Sequence, residues 1–237
     1  MTGTEFQSKR SGPAQRFPRL YPILDAELAL RGAAGDREQR SDLLRVLVRE
    51  LAATGVEILQ YRNKRDSDPV VAEDCRVMSE AARRAGHAPM RIILNDRAAL
   101  AAAAGWDGVH IGQEDLSPQQ ARHLVGPDAL VGLSTHTEAQ VIAANAEPVD
   151  YIAIGPVFTT ASKSDTSPVI GLEGVRRARS LTDKPLVAIG GITRDNAMAV
   201  YEAGADSVAV ISAIFGSASL PGQSPAHRAK DFLDIFK

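Results

Sequence analysis

Short apolar runs rich in Val, Ile and Leu recur along the chain, each followed by a segment of helical length. Eight of them read as strands, at 20–24, 57–61, 91–94, 108–111, 130–133, 151–154, 186–189 and 207–211. Most are almost continuously apolar, as expected of strands covered on both faces. Between them, segments such as 42–53, 70–85, 119–124 and 195–202 carry apolar residues at helical spacing. Eight βα units predict an α/β fold, a single (β/α)8 TIM barrel, in preference to a doubly wound sheet. Glycines fall at the helix-to-strand joints Thr54-Gly55, Ala104-Gly105 and Ala203-Gly204, where a left-handed helix cap is useful. The phrases Ala104-Gly105-Trp106-Asp107-Gly108-Val109 and Ala203-Gly204-Ala205-Asp206-Ser207-Val208 resemble one another, consistent with a repeated unit.

The barrel is expected to occupy 18–237, with no second domain. Residues 1–17 carry Lys9, Arg10 and Arg16 with no apolar stretch behind them, so they read as a disordered extension and not as a secretory signal. The Ser-, Gly- and Pro-rich stretch at 216–225 reads as a loop before a last helix. No apolar run approaches the roughly 18 residues of a membrane span.

Composition narrows the function classes. With 44% apolar and 24% charged residues, the 237-residue chain has ordinary globular values. A formal charge of −2 gives no general attraction to nucleic acid or to anionic membranes, so any phosphate binding must be local. The one cysteine, Cys75, cannot form an internal disulfide and reads as an ordinary helical thiol, which favours a reducing, cytoplasmic setting. Assembly into a homo-oligomer is left open.

In such barrels the chemistry sits at the C-terminal ends of the strands and in the loops beyond. Here those positions hold Gln60, Arg62 and Lys64; Asn95 and Asp96; Gln113, Glu114 and Asp115; Ser134, Thr135 and His136; Thr159, Thr160, Ser162 and Lys163; Gly190 and Gly191; and Ile211 and Ser212. Arg62 and Lys64, two apart on an extended segment, would point the same way and, with Lys163, could hold a diphosphate. The plainer alternative is a pair of solvated surface charges. Asp96 and Asp115 end adjacent strands and could share one hard cation, for which Mg2+ suits better than zinc. Each Asp could instead cap a helix. Gly190-Gly191, followed by Ile211-Ser212, offers a second anion site, although glycine pairs also serve tight turns. His110 reads as a packed barrel residue, His136 as nearer the rim, and Glu114 as solvent-exposed. No Ser–His–Asp arrangement or Cys/His metal cluster appears, so the rim looks built for electrostatic work on two anions.

Several phrases together resemble the thiamine-phosphate synthase family. They are Gln60-Tyr61-Arg62-Asn63-Lys64, Leu94-Asn95-Asp96-Arg97, Asp107-Gly108-Val109-His110-Ile111-Gly112-Gln113-Glu114-Asp115-Leu116 and Gly132-Leu133-Ser134-Thr135-His136. Further along come Gly155-Pro156-Val157-Phe158, Thr160-Ala161-Ser162-Lys163, Ala188-Ile189-Gly190-Gly191-Ile192 and Val210-Ile211-Ser212. The resemblance spans about residues 20 to 215. It implies a transferase of thiamine biosynthesis that condenses 4-amino-2-methyl-5-(diphosphooxymethyl)pyrimidine with a thiazole phosphate, losing pyrophosphate by a dissociative route.

By the same resemblance, Gln60, Tyr61, Arg62, Asn63, Lys64, Asn95, Ser134 and Lys163 would hold the pyrimidine diphosphate. Of these, Arg62, Lys64, Ser134 and Lys163 are the catalytic expectation. Asp96 and Asp115 would hold Mg2+, the implied cofactor. Thr160, Ala161, Ser162, Gly190, Gly191, Ile211 and Ser212 would receive the thiazole phosphate. The family often has proline where Thr159 stands and threonine where Ser162 stands; serine keeps the hydroxyl. Two other readings are a thiazole tautomerase-like paralogue, which would need a base and no diphosphate site, and a non-catalytic phosphate-ligand sensor on the same barrel.

Overall fold

The computed structural model describes residues 17–33, 35–85, 90–160, 168–216 and 223–237. Its chain order is β1 (Leu20–Asp25), α1 (Ala26–Ala29), α2 (Arg37–Ala53), β2 (Ile58–Arg62), α3 (Asp68–Arg84), β3 (Arg91–Asn95), α4 (Ala98–Ala103) and β4 (Gly108–Ile111). It continues with α5 (Pro118–Val125), β5 (Leu130–Thr135), α6 (Glu138–Asn145), β6 (Tyr151–Ile154), α7 (Gly171–Ser180), β7 (Leu186–Ile189), α8 (Arg194–Glu202), β8 (Ser207–Val210), α9 (Ser212–Phe215) and α10 (Pro225–Asp234). The eight strands pair in sequence order, all parallel, and β1 pairs with β8 to close the barrel. Every predicted strand is present, with ends shifted by at most two residues.

Short polar residues start most of the longer helices. Asp36, Ser117, Thr137 and Ser224 each accept a backbone N–H of the first turn of α2, α5, α6 and α10. The repeated Ala-Gly-x-Asp phrase has a structural meaning. Asp107 and Asp206, just before β4 and β8, accept the backbone N–H of Ile92 and Leu186 at 2.7 and 2.8 Å. Asp150 does the same before β6 for Val131, at 2.8 Å. The carboxylates thus tie β4, β6 and β8 each to its predecessor at the base of the barrel.

Side chains alternate between two cores, as the period of a strand requires. Tyr21, Ile23, Ile58, Ile93, Tyr151, Ala153, Val187 and Ala209 fill the barrel interior. Leu24, Leu59, Tyr61, Leu94, Val109, Val131, Ile152 and their neighbours face outward and pack under the helices. Phe17 belongs to the interior core, buried with its ring centroid 5.0 Å from that of Tyr151, so ordered structure reaches one residue into the stretch expected to be an extension. Residues 1–16 lie outside the described residues. Among the described residues, no helix is long and apolar enough to cross a membrane.

Candidate active site

Strand alternation decides which rim residues can meet a ligand. Along β2, Gln60 and Arg62 face the barrel interior and its mouth, whereas Tyr61 faces outward. Gln60 is buried and donates to the Tyr21 hydroxyl at 3.2 Å. Arg62 forms an ion pair with Asp25, its register partner at the end of β1, with only 16% and 9% of the two side chains exposed. A solvated surface cation is therefore excluded for Arg62. Lys64, one turn of loop further, reaches the opposite neighbour and places Nζ 2.6 Å from Oδ2 of Asp96. The two cations expected to act side by side are thus held apart by carboxylates on either flank.

Tyr61 and Asn63 lie behind this arm, in place of the ligand-facing positions expected. Tyr61 is fully buried, and its hydroxyl donates to the Asp74 carboxylate while accepting from Arg40 at 3.2 Å and Asn63 at 3.1 Å. Asn63 also donates to Asp66 at 2.9 Å, and its amide oxygen accepts the N–H groups of Arg65 and Asp66. An Asn used this way closes a tight turn, and this one presents Lys64. Arg97 completes the frame. It donates to the Asn63 and Asp66 carbonyls at 3.2 and 2.7 Å and pairs with Asp68 at 2.6 Å. The loop carrying Lys64 is thereby fastened to the loop carrying Asp96.

Asp96 and Asp115 meet at the ends of β3 and β4. Asp96 has φ 64°, the one positive value outside glycine among the described residues. Neither aspartate caps a helix: Arg97 precedes α4 without a side-chain cap, and Ser117 makes the capping box of α5. Asp115 instead accepts the Gly112 N–H at 2.7 Å, which aims its carboxylate back toward Asp96. Burial pushes the Asp96 carboxyl above its ordinary range, the neighbouring Asp115 pushes the same way, and Lys64 opposes both. Two oxygen donors that repel one another fit a hard divalent cation. Among the described residues no third His, Cys, Asp or Glu joins them, so the remaining ligands would be water and substrate oxygens.

Asn95, half-buried at the end of β3, is the register partner of His110 on β4. Ser134 on β5 lies 2.8 Å from His110 Nε2, and its carbonyl accepts from Gln113 at 2.6 Å. His136 lies 2.7 Å from the Gly155 carbonyl through Nδ1, so the histidine nearer the rim braces β5 against β6. Glu114 is exposed, as expected.

On the far side, Thr160, Gly190, Gly191, Ile211 and Ser212 line one notch of about 30 Å³ where β7 and β8 end. The glycines have φ 103° and 64°. A Cβ on Gly190 would fall 2.6 Å from Pro156 Cβ, and one on Gly191 would fall 2.6 Å from the Thr159 carbonyl oxygen. The pair is therefore required first by the packing of the β6–α7 loop; room for a ligand follows from it. Ala161, Ser162 and Lys163 lie outside the described residues. The larger cavity, about 360 Å³, sits outside the barrel between α2 and α3, away from the strand ends.

A family model described as thiamine monophosphate synthase matches residues 33–214. A thiamine-phosphate synthase of Koribacter versatilis is 46% identical over 220 residues, covering 93% of this chain and 96% of that one. The chain belongs to the thiamine-phosphate synthase family. A second family member, from Azorhizobium caulinodans, is 41% identical over 70% of this chain and 77% of its own. Among solved structures, the thiamine phosphate pyrophosphorylase of Pyrococcus furiosus superposes with a TM-score of 0.74 at 29% identity, covering 92% of this chain and 94% of that one. The protein is accordingly a transferase of thiamine biosynthesis, a thiamine-phosphate synthase on a TIM barrel. These likenesses give no support to the tautomerase or sensor readings.

Proposed function

We propose that this thiamine-phosphate synthase joins 4-amino-2-methyl-5-(diphosphooxymethyl)pyrimidine to a thiazole phosphate with Mg2+ held by Asp96, Asp115 and the diphosphate. The observation that carries this reading is the meeting of Asp96 and Asp115 beside Lys64, with Arg62 on the adjoining strand end. Bound there, Mg2+ would neutralise charge on the departing diphosphate.

The chain's own residues do the rest. Arg62, Lys64 and Lys163 supply fixed positive charge, and Gln60, Asn95 and Ser134 orient the pyrimidine and its diphosphate. Tyr61 and Asn63 serve the same substrate indirectly, by setting the arm from behind. Thr160, Ala161, Ser162, Gly190, Gly191, Ile211 and Ser212 receive the thiazole phosphate, where barrels often bind phosphate after strands seven and eight. The methylene C–O bond breaks, pyrophosphate leaves with the electron pair, and the thiazole nitrogen lone pair closes on the pyrimidinylmethyl cation. A nitrogen lone pair needs no general base, so the catalytic work is positioning and charge stabilisation. The partners on this reading are small molecules, with no nucleic acid or membrane; the setting is the cytoplasm, and a homo-oligomer is compatible with it.

The test is Lys163→Met, which removes the charge and keeps much of the stem. Single-turnover rates should fall by about two orders of magnitude, roughly 3 kcal/mol, because the ammonium meets charge that grows in the transition state. A pyrimidine bearing an electron-withdrawing substituent should also be slowed by the wild-type enzyme. If Lys163→Met weakens binding alone and the substituent leaves the rate unchanged, the dissociative route is wrong.

A further inference from the structure

An unbroken chain of hydrogen bonds, buried except at its half-buried Ser134 end, crosses the barrel interior from β2 to β5. It runs from Gln60 Nε2 to Tyr21 Oη at 3.2 Å, Tyr21 Oη to Tyr151 Oη at 2.9 Å, Tyr151 Oη to His110 Nδ1 at 3.0 Å, and His110 Nε2 to Ser134 Oγ at 2.8 Å. The architecture is arranged around it. The His110 and Tyr151 rings stack at 23° with centroids 5.5 Å apart, and Phe17 covers both tyrosines from below. Gly132 leaves the space that the Tyr151 ring occupies, since a Cβ there would fall 2.0 Å from Tyr151 Cζ. None of this is needed merely to fill a barrel, which leucine and valine do at lower desolvation cost.

We infer that this chain is a polarity wire that makes the Gln60 amide and the Ser134 hydroxyl read one substrate together, with Tyr21, Tyr151 and His110 as its positioning residues. Each hydroxyl has one proton to give, so fixing one end fixes the other. Gln60 donates to Tyr21; Tyr21 must then donate to Tyr151, and Tyr151 to His110 Nδ1. The imidazole is left as the Nε2–H tautomer, which donates to Ser134. Both phenols keep their protons, because burial holds them well above the ordinary tyrosine value.

Two consequences follow at the ends. The Gln60 amide oxygen, which no described residue donates to, is turned toward a ligand N–H. The Ser134 proton is left to donate to a ligand oxygen. The wire therefore selects a molecule with a ring amine at one end and an anionic oxygen at the other. Reversing the donor–acceptor sense at one end alone leaves two donors or two acceptors facing each other at a link of the chain, a cost that water cannot relieve there. This selectivity rests on the reading that Gln60 and Ser134 face the pyrimidine diphosphate. The state of the wire itself does not.

The test has two arms, both on the full chain. Two-bond proton–nitrogen NMR, with His110 assigned by loss of its signals in His110→Asn, should show Nε2 protonated and Nδ1 bare at neutral pH. In Tyr151→Phe that preference should collapse to a mixture of tautomers. A dominant Nδ1–H form in the wild type, or a tautomer indifferent to Tyr151→Phe, overturns the wire. In the second arm, kcat/KM is compared for the aminopyrimidine diphosphate and its desamino analogue. Tyr21→Phe and Tyr151→Phe should each cut that discrimination about tenfold or more while leaving KM for the thiazole phosphate in place. Unchanged discrimination in both variants overturns the coupling even if the tautomer is as stated. If the wild type turns over neither pyrimidine, the substrate reading has failed, and the tautomer arm alone decides the wire.

Discussion

Lys64 Nζ rests 2.6 Å from Asp96 Oδ2, on a carboxylate that also meets Asp115. The ammonium stands where a second positive charge is wanted, between an acidic pair and the mouth of the barrel. A divalent cation taking over the two carboxylates would free Lys64, half-exposed on its loop, to turn to a diphosphate oxygen. Arg62 is held in reserve in the same way by Asp25.

Removing either carboxylate should therefore act through the metal. Asp96→Asn and Asp115→Asn are each expected to lower turnover while leaving the fold intact. The Mg2+ concentration for half-maximal rate should rise by about 100-fold or more, since even indirect partners of a metal commonly cost 10–100-fold. Titration of the rate with Mg2+ at saturating substrates checks this; a normal Mg2+ requirement in both variants would remove the metal from these residues.

Stability should respond in the opposite direction at Asp96. Its carboxyl is pushed above the ordinary range in the folded chain, so ionisation costs the folded state more than the unfolded one. The group's favourable contribution is present below the ordinary carboxylate pKa and is lost as pH rises through the folded value. Asp96→Asn also keeps a residue that tolerates the positive φ. Without Mg2+ at pH 7 the variant should melt at or above the wild-type temperature, and that advantage should vanish near about pH 3. Thermal scans across that range decide it; a variant clearly less stable at pH 7 contradicts the assignment of the shift.

Gly191 is expected to fail structurally. A side chain at φ 64° meets the Thr159 carbonyl and Phe158 Cβ at 2.6 and 2.7 Å. Strain in the left-handed region together with overpacking costs roughly 3 kcal/mol, and a domain of this size then melts about 6–12 °C lower. Gly191→Val should show that drop and should weaken the response to both substrates. A normal melting temperature with a defect confined to thiazole phosphate would mean that the loop yields and that the ligand contact dominates.

The strands and the polar rim were legible because a parallel barrel writes them as apolar runs with abrupt polar ends. The direction of individual side chains was less so. The i, i+2 spacing sets Arg62 and Lys64 on one side, but Asp25 and Asp96 draw them apart, and neither partner is near them in sequence. Tyr61 and Asn63 fall within the same phrase yet face Asp74 and Asp66 behind the arm, as the alternation of β2 could have indicated. Asp25 and Arg97 carry a local signal, a charge closing a strand and a charge after Asp96, but their partners lie far away in sequence. Tyr21 and Tyr151 had none: each sits in an apolar run and reads as packing, and their hydroxyls meet across 130 residues of chain. Ala161, Ser162 and Lys163 rest on family resemblance, outside the described residues.

The most direct test of the central claim is product stoichiometry under defined conditions. The purified chain is mixed with the pyrimidine diphosphate, the thiazole phosphate and Mg2+, and pyrophosphate and thiamine phosphate are quantified together, with each component omitted in turn. One pyrophosphate for each thiamine phosphate, with no thiamine phosphate formed when either substrate or Mg2+ is left out, is the result expected of a condensation at the Asp96–Asp115 site. Pyrophosphate release without thiamine phosphate in the complete mixture, or full activity with Mg2+ chelated, would contradict it.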